Sequence, residues 1–292
     1  MHIIKKNLIK LIRVNKEKIK TNRKNGIFID RNENPINYNN NVRKKLLDKI
    51  KKVELGRYPD VDIFKNKLAK FLRLKKENIF ITEGVSGAIK SLMEVYTIPK
   101  KTNIIFPNPT FAMYPVFTKM FDVKSIKIPY VNYDLDFKKM INSINKKTSL
   151  VFLPNPNNPI EGALSIKKIK KILKKCEKNK CFLVLDEVYY PFGNITGINL
   201  IKKSNYVFVM RSFSKAGGLA GIRLGYLVGN KKNIEHVSKV RGGYETNILA
   251  MEVGSFFIDN YNIILNQIKI VKKGFKFLVS QLKKSKIEHN GA

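Results

Sequence analysis

Tyr206-Val-Phe-Val-Met210-Arg-Ser-Phe-Ser-Lys215-Ala-Gly-Gly-Leu-Ala-Gly-Ile-Arg223-Leu-Gly-Tyr-Leu-Val228 is the stretch on which the fold turns. An apolar, β-rich run (206–210) leads into a loop of Ser and Gly, and a second run (224–228) leads out. Runs that are continuously apolar, rather than alternating, belong to strands covered on both faces. Working outward, further strands are predicted at 78–82, 103–106, 123–128, 149–153 and 181–185. Helices are predicted at 63–72, 86–96, 166–175 and 231–241. Strands alternating with helices specify an α/β fold of three layers around a mainly parallel, seven-stranded sheet. In such sheets ligands bind at the carboxyl ends of the strands. From about residue 245 the pattern turns helical, and over 263–284 Ile264, Ile268, Val271, Phe275, Leu278 and Leu282 recur near the helical period.

Composition narrows the class. The chain has 292 residues, 43% of them hydrophobic, enough for a sizeable core. No apolar run approaches the ~18 residues of a membrane helix, so no integral membrane protein is expected. Lys and Arg number 57 against 22 Asp and Glu, a net charge of +35. Such a balance can mark a polyanion-binding surface. Here 48 of the 57 are Lys, spread over every predicted helix instead of interleaved with Arg and aromatics on one face. Lys, Asn and Ile are inflated together and Trp is absent. The charge therefore reads as compositional bias, and a nucleic-acid partner is not expected. Cys176 and Cys181 offer no metal spacing and read as packing residues of a reduced, cytoplasmic protein. Residues 1–29 read as a basic arm that packs on its own protein or a partner subunit.

Four local features carry chemistry. Lys215 lies in the polar loop at a strand end, and lysine is the side chain that forms a Schiff base with an aldehyde cofactor. Ser212, Ser214 and Arg223 supply hydroxyls and a planar fork suited to a phosphate dianion. Taken alone, Lys215 is one lysine among 48. Asp186, in Leu183-Val-Leu-Asp186-Glu-Val-Tyr189, ends a buried apolar strand and so needs a partner. A pyridinium nitrogen would serve, as would a metal or a helix start. Pro154-Asn-Pro-Asn-Asn158-Pro-Ile-Glu-Gly162 is a turn whose Asn run exceeds ordinary turn chemistry. Thr82-Glu-Gly-Val85-Ser86-Gly-Ala-Ile89 is a strand–Gly–Ser–helix junction, either a phosphate-binding helix start or a simple Ser cap.

In their order and spacing these features resemble the fold type I pyridoxal-phosphate enzymes, the class I/II aminotransferases, and most closely the histidinol-phosphate aminotransferases. The resemblance runs from about Ile29 to the end and includes Asp30-Arg-Asn-Glu-Asn-Pro35, Arg57-Tyr-Pro-Asp60 and Pro109-Thr-Phe-Ala-Met-Tyr114. It implies pyridoxal 5'-phosphate as cofactor. Lys215 matches the lysine that carries the cofactor and shuttles the substrate proton. Asp186 matches the partner of the pyridine nitrogen. Tyr189 and Asn158 match the pair that hydrogen-bonds the ring oxygen, and Phe111 the aromatic stacked on the ring. Val85, Ser86, Ser212, Ser214 and Arg223 match the phosphate site. Tyr58 matches a tyrosine that reaches the partner subunit's phosphate, which implies a homodimer. Asn32, Glu33 and Asn34 match the substrate entrance. The substrates implied are an amino acid, or an amino-acid-derived phosphate such as histidinol phosphate, and a 2-oxo acid.

The sequence also departs from the pattern. Asn158-Pro-Ile-Glu-Gly162 is one residue longer than the usual Asn-Pro-Thr-Gly, and Gly84-Val-Ser-Gly87 lacks two acidic side chains. Arg241-Gly-Gly-Tyr-Glu-Thr-Asn247 replaces a Pro-rich segment. The expected layout is an arm (1–29), a cofactor-binding large domain (30–240) and the start of an incomplete C-terminal small domain (241–292). That ending leaves out the arginine that clamps the substrate carboxylate, and poor transamination by the chain as given is the corresponding expectation. Two other readings stay open at this point: a decarboxylase resembling threonine-phosphate decarboxylases, and an inactive cofactor-binding remnant.

Overall fold

The computed structural model describes residues 4–9, 11, 30–160, 162–244 and 246–289. Most of the expected arm, and Glu161 in the Asn-rich turn, lie outside the described residues. The helices are α1 (Lys6–Ile9), α2 (Asn40–Ile50), α3 (Val61–Leu72), α4 (Gly84–Tyr96), α5 (Met113–Met120), α6 (Phe137–Ser143), α7 (Ile166–Asn179), α8 (Lys231–Ser238), α9 (Ile248–Asp259) and α10 (Tyr261–Lys284). The strands are β1 (Ile79–Thr82), β2 (Asn103–Asn108), β3 (Lys124–Val131), β4 (Asp134–Leu135), β5 (Thr148–Pro154), β6 (Phe182–Asp186), β7 (Val207–Ser212) and β8 (Gly225–Val228). All seven predicted strands are present. The two-residue β4, which turns back on β3, is an eighth that the sequence reading lacked.

The sheet order is β1-β8-β7-β6-β5-β2-β3-β4. The run β7-β6-β5-β2-β3 is parallel throughout. Strand β8 is antiparallel to both neighbours, β1 and β7. The chain leaves β2 toward β3 on one side and returns to β5 on the other, so the connections diverge at the β2–β5 boundary. The carboxyl edge there is where such sheets open a crevice.

Apolar residues fill both faces. On one, Val151, Leu153, Leu183, Leu185, Val207 and Val209 pack with Leu68 of α3, Ile169 and Ile172 of α7 and Met251 of α9. On the other, Phe106, Phe152, Val184 and Phe208 pack with Ile89 and Leu92 of α4, Tyr114 of α5 and Val237 of α8. The two sets alternate along each strand, as the two-residue period of a strand requires. A third cluster joins Val253, Phe257, Ile264 and Ile268 of α9 and α10 to Val42 and Leu46 of α2.

Helix α7 shows why the high charge is compatible with this core. Its sequence IKKIKKILKKCEKN buries Ile169, Ile172, Leu173 and Cys176 on one stripe and turns its lysines outward. Ser165 caps it by accepting from the Lys168 N–H, and Lys180 closes it in the left-handed conformation (φ 56°). Among the described residues no single helix is long and apolar enough to cross a membrane; α9 and α10 pass that test only as a pair, bent by 79°.

Candidate active site

Asp186 is the last residue of β6 and is 2% exposed. Its Oδ2 accepts from the Tyr114 hydroxyl at 2.6 Å, and its Oδ1 from the Val188 N–H at 3.0 Å. Among the described residues no cationic side chain forms an ion pair with it. Burial pushes its carboxyl up to about 6, against the pull of those two donors. Tyr114 stays a protonated donor, because burial and then the neighbouring Asp186 charge hold its phenol well above the usual range.

Lys215 follows β7 by three residues and is half-buried. Its Nζ donates to the carbonyl of Arg31 at 2.5 Å and to that of Asn32 at 3.4 Å. Burial lowers its pKa; Glu33 opposes the shift and Arg223 adds to it. Three residues beyond Asp186, the Tyr189 hydroxyl accepts from Asn32 Nδ2 at 2.8 Å. Of the expected entrance residues, Asn32 thus contacts both Lys215 and Tyr189. Asn34 lies beside them, its Oδ1 accepting from Gln267 Nε2 at 3.0 Å.

The expected phosphate residues converge on the start of α4. Gly84 adopts φ 75°, and a Cβ there would meet Arg223 Nη2 at 2.9 Å. Gly225 is equally constrained, since a Cβ on it would lie 2.6 Å from the Gly84 backbone. Arg223, itself left-handed (φ 56°), donates from Nη2 to the Glu83 carbonyl at 3.3 Å. Ser212 Oγ donates to Ser214 Oγ at 2.9 Å and accepts from the Ser214 N–H at 3.0 Å. Val85 and Ser86 fall in the first turn of α4. Glu83 gives α4 no side-chain cap, as is also the case for α5 and α10, whereas α2, α3, α6, α7, α8 and α9 are capped. No side chain caps the first amides of α4, and a helix start of that kind suits an anion.

Other expected residues lie at the rim. Phe111 is 40% exposed and meets Tyr114 edge-on at 5.8 Å between centroids. Asn158 is exposed, while its neighbour Asn157 is buried, donating to the Pro109 and Ile160 carbonyls and accepting from Thr110. The asparagine run therefore divides between turn-building and an outward position. Tyr58 is 79% exposed, stacked on Tyr244 at 4.4 Å and away from the Lys215 cluster.

Sequence reasoning assigned Tyr114 no role, although it touches the central carboxylate. The available signal was a tyrosine three residues after Phe111 in an apolar stretch, because a buried phenol must find a partner. The contacts of Lys215 with the carbonyls of residues 31 and 32 had no signal, since any residue supplies a carbonyl.

These residues fit pyridoxal phosphate by their donors and charges. Asp186 is a desolvated carboxylate that lacks a cation among the described residues, and a protonated pyridine nitrogen is one. The uncapped start of α4, with Ser212, Ser214 and Arg223, suits the phosphate, and Lys215 suits the aldehyde. A doubly wound sheet with this set along its carboxyl edge defines a pyridoxal-phosphate-dependent enzyme of fold type I. The chain belongs to the aminotransferase class I and II family, whose family model matches residues 25–289, and is a pyridoxal-phosphate-dependent aminotransferase. A histidinol-phosphate aminotransferase of Pyrococcus furiosus is 31% identical over 250 residues, covering 85% of this chain and 72% of that protein. The structure of the histidinol-phosphate aminotransferase from Clostridium acetobutylicum superposes with a TM-score of 0.77 at 24% identity, covering 87% of this chain and 75% of that one. That of the Sinorhizobium meliloti enzyme in complex with pyridoxal-5'-phosphate gives a TM-score of 0.74 at 20% identity, over 82% and 65% of the two chains.

Proposed function

We propose that this chain exchanges an amino group between an amino acid, or an amino-acid-derived phosphate such as histidinol phosphate, and a 2-oxo acid, with the cofactor carried covalently on Lys215. The observation that carries this reading is Asp186, a 2%-exposed carboxylate with no cationic partner among the described residues, on the same carboxyl edge as the half-buried Lys215 amine. The kinship with histidinol-phosphate aminotransferases supports the substrate class.

When bound, pyridoxal phosphate supplies an aldehyde that captures amines and a ring that stores an electron pair. The chain supplies the rest. Lys215 Nζ takes the proton from the substrate Cα; burial favours its neutral form, which is the form that can accept. Asp186 keeps a proton on the ring nitrogen, with Tyr114 and the Val188 amide fixing its two oxygens. Tyr189 donates to the ring oxygen, and Phe111 offers an exposed aromatic face. Ser212, Ser214, Arg223 and the first turn of α4 anchor the phosphate. Tyr58, exposed on this chain, reaches toward the phosphate of a second copy, so a homodimer and a cytoplasmic setting belong to the same proposal.

The test is borohydride reduction of the loaded protein followed by peptide mapping. A reduced cofactor on Lys215, with release of a 2-oxo acid from the amino donor, is the expected result. A label on another lysine would refute the assignment of Lys215. Release of carbon dioxide without an oxo acid would refute transamination.

A further inference from the structure

Asn32 touches both functional groups of the site through different atoms. It adopts a left-handed backbone, φ 50°, a region that asparagine tolerates better than most residues. In that conformation the carbonyls of Arg31 and Asn32 both accept from Lys215 Nζ, at 2.5 and 3.4 Å. Its side-chain Nδ2 donates to the Tyr189 hydroxyl at 2.8 Å. The segment is fastened on either side. Asn34 Oδ1 accepts from Gln267 Nε2 at 3.0 Å and from the Ile36 N–H at 3.2 Å. Gly218, at φ 60°, leaves room for Asn34 where a Cβ would stand 2.6 Å from its Nδ2. Tyr38 donates from its hydroxyl to the Gly217 carbonyl.

The direction of the Asn32–Tyr189 bond has a consequence. An amide N–H can only donate, so the Tyr189 oxygen is the acceptor in this contact. The proton of Tyr189 is then left to point at a third group. If an acceptor stood at position 32, the phenol would spend its proton there instead. Burial raises the Tyr189 phenol, and the hydrogen bond from Asn32 works against that rise.

We infer that Asn32 is a positioning residue: its amide directs the Tyr189 O–H away from itself and toward the cofactor's ring oxygen, while its left-handed backbone presents two carbonyls that hold the Lys215 amine whenever that amine is free. The inference rests on the proposed roles of Lys215 and Tyr189, and it adds the residue that orients both.

The test compares Asn32→Asp, Asn32→Gly and Tyr189→Phe in the loaded protein. Asn32→Asp keeps the size and the tolerance for positive φ but replaces a donor with an acceptor. It also adds a negative charge, which itself raises the midpoint of the chromophore's titration, so the uncharged Asn32→Gly separates the two effects. Asn32→Gly keeps the backbone and deletes the amide. The readout is the pH at which the visible absorbance of the lysine–cofactor chromophore changes. A hydrogen bond donated to an anionic ring oxygen favours the charged form and so weakens proton binding by the chromophore. Asn32→Asp is therefore expected to raise that midpoint by about one pH unit, tenfold in proton affinity, in the same direction as Tyr189→Phe. Asn32→Gly should shift it less, with borohydride still labelling Lys215 in every variant. A wild-type midpoint in Asn32→Asp, alongside a shifted one in Tyr189→Phe, overturns the inference. Should Asn32→Asp fail to fold, Asn32→Gly decides by the same rule: a raised midpoint supports the inference and an unchanged one overturns it. Absence of label on Lys215 in the unmutated protein would instead overturn the proposed site, and this inference with it.

Discussion

Asp186 and Glu187 are consecutive, and both are 2% exposed. They reach opposite sides of the sheet and meet opposite fates. Glu187 is fully paired: Arg211 reaches its Oε2 from Nε at 3.0 Å and from Nη2 at 2.8 Å, Thr196 donates at 2.8 Å, and the Gly197 N–H reaches Oε1 at 2.6 Å. The Tyr190 ring lies 3.7 Å from the Arg211 guanidinium carbon. Among the described residues the Asp186 side chain has only a phenol and one amide. A buried charge whose partners are all within the chain is architecture, tying the end of β6 to that of β7. A buried charge left one cation short among the described residues is a candidate binding site.

The largest effect is expected at Arg211. Arg211→Met would leave Glu187 buried without its guanidinium, and the expected loss is about 3–5 kcal/mol of unfolding free energy by urea titration. Adding Glu187→Gln keeps an acceptor for Thr196 and Gly197 while removing the charge, and should recover most of that loss. A cost below about 1 kcal/mol for the single variant, typical of a surface pair, would show that the two carboxylates do not differ as described.

Asp186 should respond in the opposite sense. Its folded-state pKa, about 6, stands above the ordinary 3.8, so the fold favours the neutral acid. The stabilisation is fully present below pH 4 and is lost as pH rises through about 6, a span worth about 3 kcal/mol. In the cofactor-free protein, Asp186→Asn should therefore remove a downward slope of stability between pH 4 and 6. At pH 7 it should leave the variant more stable than its parent, although it binds cofactor more weakly. Equal pH slopes for the two proteins would mean that Asp186 is not held against its charge.

Much of this was legible in the sequence, for identifiable reasons. Strands β5, β6 and β7 are continuous apolar runs, so their existence and the polar residues at their ends could be read directly. Lys215, Asp186 and Tyr189 are chemically distinctive at fixed spacings. Helix α5 was missed because Met113–Met120 is short and contains Pro115, a poor helix signal. Helix α2 opens on Asn40-Asn41 and buries no residue, so its apolar stripe is weak. Strand β4 is set by a turn through Asn132 and Tyr133, both at positive φ, which no hydrophobic period announces. The division of labour between Asn157 and Asn158 depends on which amide turns inward, and adjacent identical residues carry no information about that. The contrast between Asp186 and Glu187 was hidden for a similar reason: Arg211 is 24 residues from its partner and only the sheet register joins them.

The finest test compares one hydroxyl on each carboxylate. Tyr114→Phe removes one of the two donors to Asp186 and deletes a hydrogen bond to a charged, desolvated oxygen. The expected loss is about 1.5–3 kcal/mol at pH 7. Because that bond pulls the Asp186 carboxyl down, its loss should push the group further above about 6, and the penalty should shrink at pH 4, where the acid is neutral. Thr196→Val removes a hydroxyl that donates to Glu187 and accepts from Arg211 Nη2 and the Ile198 N–H, but leaves both Arg211 nitrogens and the Gly197 amide on Glu187. Its cost should be about 1 kcal/mol, because the charge keeps its counter-ion. If the two substitutions cost the same at pH 7, the guanidinium contributes nothing that a phenol does not, and Asp186 would need no outside cation to complete it. If Tyr114→Phe costs more, and bound cofactor narrows the gap, the missing partner of Asp186 is the group that binds there.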